Sequence, residues 1–195
     1  MPDPADELNP RVLDARSLRG LAHPLRMALL NALRRGGPAT ASQLAAALGE
    51  SSGATSYHLR QLAEYGFIED APEHGKGRER WWRSAHGSVQ FDDSLHHHPD
   101  PAVRGAADLF IHEVANIHTQ EVATYLGTAH DWPDAWHRST DLSDMTLRLT
   151  PELAVELISK MHELVDSYRA LAPAEDAPDA EQVRVHTHLF PVRTA

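Results

Sequence analysis

Residues 50–70 read ESSGATSYHLRQLAEYGFIED, and the fold turns on how that stretch is divided. Its middle, Ser56-Tyr57-His58-Leu59-Arg60-Gln61-Leu62, places Leu59, Leu62 and Ala63 on one helical face and polar residues on the other. Small polar residues open it and Tyr65-Gly66-Phe67 closes it, so a helix over 52–65 is predicted. Its polar face is either the solvated back of a core helix or a surface for reading a ligand.

The flanks decide between these. Upstream, LDARSLRGLAHPLRMALLNALRRGG carries Leu18, Leu21, Leu25, Leu29, Leu30 and Leu33 on a helical period interrupted at Pro24. Proline suits a first helical turn and not an interior one, which predicts a short helix, a break at His23, and a helix from Pro24 to Arg35. Thr40-Ala41-Ser42-Gln43 has the spacing of a capping box and opens a short helix that runs to Gly49. Two short helices separated by a glycine-containing turn form a helix-turn-helix pattern. Downstream, FIEDAPEHGKGRERWWRS has strand-like ends around a centre rich in glycine and charge, which predicts a hairpin with Lys76, Arg78 and Arg80 near its tip.

Charge is distributed in the same sense. The chain of 195 residues has a net charge of −10, yet residues 11–91 carry +4 and residues 92–195 carry −11. A basic front joined to an acidic back is expected when one part meets phosphate and the other does not. Cysteine is absent, which excludes disulfides and thiolate metal sites and fits a cytoplasmic chain. The acidic, proline-bearing start MPDPADELNP has no character of a signal or transit peptide, and no run is apolar enough to span a membrane.

Residues 18–84 resemble the winged helix-turn-helix of the ArsR/SmtB family of bacterial repressors, on LAHPLRMALLNAL, TASQLAAALGESSGATSYHLRQLAEYGFIE and the wing HGKGRERWWR. That family's Ser-x-His-Leu-x-x-Leu recognition-helix pattern is matched by Ser56 to Leu62. The resemblance implies a cytoplasmic homodimer that represses transcription from an inverted repeat, with helix 52–65 in the major groove and wing 74–80 on the backbone or minor groove. Glu50 departs from the pattern, standing where an apolar residue is usual. Leu44-Ala45-Ala46-Ala47 replaces the Cys-x-Cys pair of the arsenic and cadmium sensors, so no thiol inducer site carries over.

On this reading the DNA-facing residues are Ser52, Gly53, Thr55, Ser56, Tyr57, His58, Arg60 and Gln61, with Lys76, Arg78 and Arg80 from the wing. Arg60 and Gln61 have the geometry for bidentate contacts to guanine and adenine. Gly53 and Ala54 allow close approach, and the hydroxyls with the helix N-terminus suit phosphate. His58 is open to two roles, a phosphate contact or packing against the wing.

The chain is expected to divide into a flexible N-terminus (1–14), a winged helix-turn-helix (15–92), and a C-terminal dimerisation and effector region (93–195). The expected class is mainly α with small β, the C-terminal α+β part being a long helix followed by strand–helix–strand. Residues 103–127 form the long helix, whose apolar stripe includes Phe110, Ile111, Val114 and Ile117. Dimerisation is expected through these and through Leu18 and Leu21, as the resemblance implies; the stripe also suits an intramolecular core. Met145, Leu147 and Leu149 alternate as a strand, as do Val183, Val185, Thr187 and Leu189. Between them Thr150 caps a helix with Pro151 at its first position and Leu153, Leu157, Met161, Leu164 and Tyr168 as its buried face. The added region resembles that of longer, actinobacterial-type members.

Two effector chemistries are open. Fourteen histidines include His96, His97, His98, His112 and His118, which offer imidazole to zinc or nickel. Tyr125, Trp132 and Trp136 offer an apolar pocket for a small organic molecule, or plain core packing. A metal-dependent hydrolase built on His112-Glu113 or His130-Asp131 is the remaining alternative, but no HExxH, nucleophile motif, phosphate loop or dinucleotide fingerprint supports an enzyme.

Overall fold

The structure, a computed structural model, describes residues 11–75, 79–174 and 177–193. Its helices start where side chains replace missing backbone partners. Helix α1 (Ala15–Leu21) opens on a capping box: Asp14 Oδ1 accepts from the Ser17 amide at 2.7 Å while Ser17 Oγ accepts from the Asp14 amide at 2.9 Å. Helix α2 (Pro24–Gly36) has the predicted proline in its first turn, and His23 Nδ1 accepts from the Leu25 amide at 3.2 Å as its cap. Thr40 and Gln43 complete the predicted capping box of α3 (Ala41–Leu48), which ends at Gly49 with φ +68°, a left-handed conformation that glycine adopts without strain. Ser51 caps α4 (Ser52–Glu64), the helix read from residues 50–70.

Three short antiparallel strands complete the predicted wing. β2 (Ala39–Thr40), β4 (Trp81–Ser84) and β3 (Ile68–Asp70) lie in the spatial order β2–β4–β3, with Thr40 opposite Trp81 and Asp70 opposite Trp82. A second, parallel pair joins β1 (Arg11–Val12) to β5 (Val89–Gln90), so the chain is already tied down ahead of residue 15. Leu13 is fully buried beside this pair, and the Arg11 guanidinium caps the Phe67 ring at 4.5 Å while donating to the Gly66 carbonyl at 2.6 Å.

One core unites these pieces. Leu18 and Leu21 of α1, Leu29, Leu30 and Leu33 of α2, Leu44 of α3, Leu59 and Leu62 of α4, and Phe67 and Trp82 of the sheet are buried together. At about 1.5–3 kcal/mol for each large apolar side chain fully buried, this cluster is the dominant stabilising term. The long helix α5 (Pro101–Thr128) adds Val103, Ala107 and Phe110 to the same core, and Phe110 stacks on Phe91 with ring centroids 5.6 Å apart. Close packing reaches backbone at Gly20, where a Cβ would fall 2.2 Å from the Tyr65 ring.

The chain forms two compact units, residues 1–123 and 124–195. The second holds the short α6 (Asp134–His137) and α7 (Pro151–Arg169), whose Thr150 cap and Pro151 start are as predicted. Its packing is not. No side chain among the described residues 124–195 is buried, and Leu153, Leu164 and Tyr168 of the expected buried face are exposed. The alternating segments at 145–149 and 183–189 enter no β-ladder among the described residues. Alternation makes a strand only when a neighbour supplies its hydrogen bonds and a covered face, and Met145, 83% exposed, has no such cover here. The molecule is mainly helical with small sheets, a winged helix-turn-helix followed by a long helix and a C-terminal helical element.

Candidate nucleic-acid interface

Helix α4 divides its surface sharply. Thr55, Leu59 and Leu62, at spacings of four and three, are fully buried against the preceding helices. Thr55, expected on the DNA side, thus points inward: its position relative to Leu59 puts it one turn up the apolar face. The opposite face exposes Ser52, Gly53, Tyr57 and Arg60, with Ser56 and Gln61 half-exposed at its edges. Tyr57 is 55% exposed, a large aromatic held in water on this polar face. Gln61 Nε2 donates to Glu64 Oε2 at 3.1 Å.

Beside this face lies an open groove of about 260 Å³, where the start of α3, α4 and the wing meet. Thr40, Ala41 and Ser42 form one wall, Ser56 and Arg60 the second, and Glu79, Arg80 and Trp82 the third. Ser42 Oγ donates to Glu79 Oε1 at 3.3 Å across it. Ser42 and Glu79 are not among the residues expected from the sequence; the capping box at Thr40 is the available signal, since it fixes where α3 starts and so places Ser42 in its first turn.

The wing's charges are arranged differently from the expectation. Lys76 and Arg78 lie outside the described residues. Arg80 is engaged at the wing's base: its Nε and one terminal nitrogen both donate to Asp70, the latter at 2.8 Å, and its guanidinium lies 4.0 Å over the Trp82 ring. The paired hydrogen bonds from Arg80 hold the Asp70 carboxyl below its ordinary range and raise Arg80 in turn. Arg83 is likewise shared by Glu69 and Glu73, each at 2.8 Å. Cross-strand register, which a linear sequence does not display, sets Glu69 directly opposite Arg83.

His58 packs against α2's entry and not the wing. Its ring centroid lies 4.4 Å from that of His23 and 5.1 Å from that of Tyr57. His58 Nδ1 is buried with no hydrogen-bond partner among the described residues. Burial, aided by the nearby Arg26, pushes both imidazoles below their ordinary range; for His58 the neighbouring His23 adds to this and Glu50 opposes it.

Of the residues expected to pair two copies, Leu18, Leu21 and Phe110 are consumed by the chain's own core, and Val114 and Ile117 pack partly against it. Ile111 is 38% exposed. The apolar stripe of α5 faces inward over its first half because the small domain needs that helix to close its core.

The histidines do not converge. His96 pairs with Asp108 at 3.2 Å, His98 Nδ1 accepts from the Asp100 amide at 3.1 Å, and His112 Nδ1 lies 2.7 Å from the Asp108 carbonyl. Among the described residues no three His, Asp or Glu side chains are grouped to hold a metal ion, so neither His97 nor His118 completes a zinc or nickel site. Trp132 and Trp136 meet edge to face at 6.3 Å, half-exposed, and Tyr125 donates to Thr140 Oγ1 at 3.1 Å. No helix among the described residues is long and apolar enough to cross a membrane.

Residues 21–71 match the family model described as "Helix-turn-helix domain", a span that contains α2, α3, α4 and β3. No curated protein matches the sequence. Among solved structures, Lactococcus lactis ZitR, as its C30AH42A mutant in apo form, matches at 18% identity with a TM-score of 0.30, covering 79% of this chain and 87% of that one. The matched helix-turn-helix domain marks a DNA-binding regulator.

Proposed function

We propose that the chain is a transcriptional repressor that reads an inverted repeat as a homodimer, with α4 in the major groove and the wing on the flanking backbone or minor groove. The observation that carries this reading is the polar face of α4, where Arg60 and Ser56 border a groove shared with the start of α3 and the wing. An α-helix fits the major groove with its N-terminal residues at base edges, and Arg60 is the side chain there suited to guanine. The +4 balance of residues 11–91 supports phosphate contact, and the acidic remainder keeps non-specific attraction low.

The test is binding to duplex from the gene's own upstream region, measured across salt concentrations. Affinity falls steeply as salt rises, through counterion release. Arg60→Ala costs about 1–3 kcal/mol on the cognate duplex and relaxes preference over scrambled DNA. An Arg60→Ala protein with undiminished discrimination would refute the base-reading role.

A further inference from the structure

Three rings in contact run from the entry of α2 to the polar face of α4. His23, the cap of α2, lies 4.4 Å from His58 between ring centroids, and His58 meets Tyr57 edge to face at 5.1 Å. Tyr57 is exposed and stands one helical turn before Arg60 on the same face of α4. A helix cap is thereby tied, ring by ring, to the surface proposed to read bases.

Both imidazoles sit where the neutral form alone is accommodated. His23 Nδ1 accepts from the Leu25 amide at 3.2 Å, so its lone pair is in use and its proton is on Nε2. A second proton goes to Nδ1, which cancels the cap and turns two N–H groups toward each other. His58 Nδ1 is buried and has no hydrogen-bond partner among the described residues. In an imidazolium both nitrogens donate, so a protonated His58 leaves a buried donor unmet.

The surrounding charge acts in the same direction. From α2, Arg26 faces both rings, and its Nε is likewise buried without a partner among the described residues. From α1, the Arg19 carbonyl accepts from Arg26 at 3.2 Å, while the Arg19 guanidinium is held by Asp100 at 2.6 Å. Tyr57 and Tyr65, in and just after α4, lie near Arg26. Glu50, in the turn between α3 and α4, is the carboxylate that opposes this at His58. Burial first, with Arg26 and the second ring added, outweighs Glu50 and leaves both imidazoles less basic than usual.

We propose that the His23–His58 contact is a proton-sensitive switch for DNA binding. With both rings neutral, α4 is held on the entry of α2 in the position that reads DNA. Once they take up protons, the two cations and Arg26 drive α4 and that entry apart, and DNA is released. The switch rests on the DNA reading above and names how that reading is regulated. The loosened chain returns its histidines to ordinary basicity, so it binds more protons than the DNA-competent state. Affinity is therefore full above about pH 6.5 and declines as pH falls through the depressed histidine values.

The test is affinity for duplex from the gene's own upstream region, between about pH 7.5 and 5.5 at fixed ionic strength. His23→Asn is the decisive variant, because asparagine caps a helix and does not titrate. It is expected to bind as wild type does at about pH 7.5, while by about pH 5.5 wild type has lost roughly tenfold more affinity than the variant. His58→Gln flattens the same decline, whatever its starting affinity. Circular dichroism at each pH restricts the comparison to folded protein. Parallel profiles for wild type and both variants overturn the switch. Proton NMR of the imidazoles without DNA reads the pair separately: His58 titrates below the ordinary histidine value and moves back toward it in His23→Asn. A His58 titration unmoved by His23→Asn overturns the coupling. Intact coupling in a chain that binds no upstream duplex at about pH 7.5 counts against the DNA reading and not against the pair.

Discussion

Helices α4 and α7 are built by the same rules and end in opposite circumstances. Each starts at a hydroxyl cap, Ser51 or Thr150, and each carries a leucine-bearing stripe at helical spacing. Leu59 and Leu62 of α4 are fully buried, whereas Leu153 and Leu164 of α7 face water. A stripe therefore specifies a face that must be covered, and says nothing of whether the cover is the same chain. In the first unit the cover is intramolecular, because five helices and a three-stranded sheet converge on one core. In the second, none of the unit's own described side chains is buried.

The largest effect that sharpens this contrast is a matched truncation. Leu59→Ala leaves a cavity in a packed core and lowers unfolding free energy by about 2–5 kcal/mol in urea titration. Leu164→Ala changes stability by less than about 0.5 kcal/mol. Equal costs would erase the distinction between the helices.

Helix caps come next. Thr40→Ala removes the buried hydroxyl that accepts from the Gln43 amide and forms one wall of the groove. It costs about 1 kcal/mol in thermal or chemical unfolding, with Thr40→Gly or Thr40→Ser recovering part of that. A loss below about 0.3 kcal/mol would mean that β2 alone positions the start of α3.

Stability also depends on pH in the first unit. His23, His58 and His86 have their basicity pushed down first by burial, and then by Arg26 for His23, by His23 and Arg26 for His58, and by Arg11 for His86. Their folded-state values therefore lie below the ordinary histidine value, and the unfolded chain binds the extra protons. The stability is fully present above about pH 6.5 and declines as pH falls through the depressed values. His58→Gln flattens part of that decline, because one stacked ring no longer titrates. An acid limb of unchanged steepness in His58→Gln would show that the other histidines carry it.

What was legible in the sequence was local. The capping box at Thr40 and Gln43, the proline start of α2 and the Thr150–Pro151 start of α7 each depend on residues within one turn of one another, and each stands as read. Thr55 was misplaced because a one-residue step around a helix is 100°, enough to move a small side chain from edge to core. The Arg80–Asp70 pair was not legible at all, since it depends on strand register across the wing. Strands at 145–149 and 183–189 were read from alternation, a pattern that describes a need for pairing and not its fulfilment.

The smallest effect concerns that wing pair. Asp70 holds Arg80 over Trp82, turning a cation toward the groove while neutralising it. An exposed pair of this kind is worth only about 0–1 kcal/mol, so exchanging Asp70 for a DNA phosphate is energetically feasible. Asp70→Asn removes the competing carboxylate and leaves the stack intact. Binding to cognate and scrambled duplex should then tighten alike, because phosphate contacts carry no sequence information. The logarithmic salt slope steepens by up to about one unit, the signature of one more released counterion. Arg80→Ala, in contrast, should weaken both duplexes alike. If Asp70→Asn leaves the slope unchanged while Arg80→Ala also has no effect, Arg80 is a structural pin of the wing, and the phosphate contacts must come from other residues around the groove.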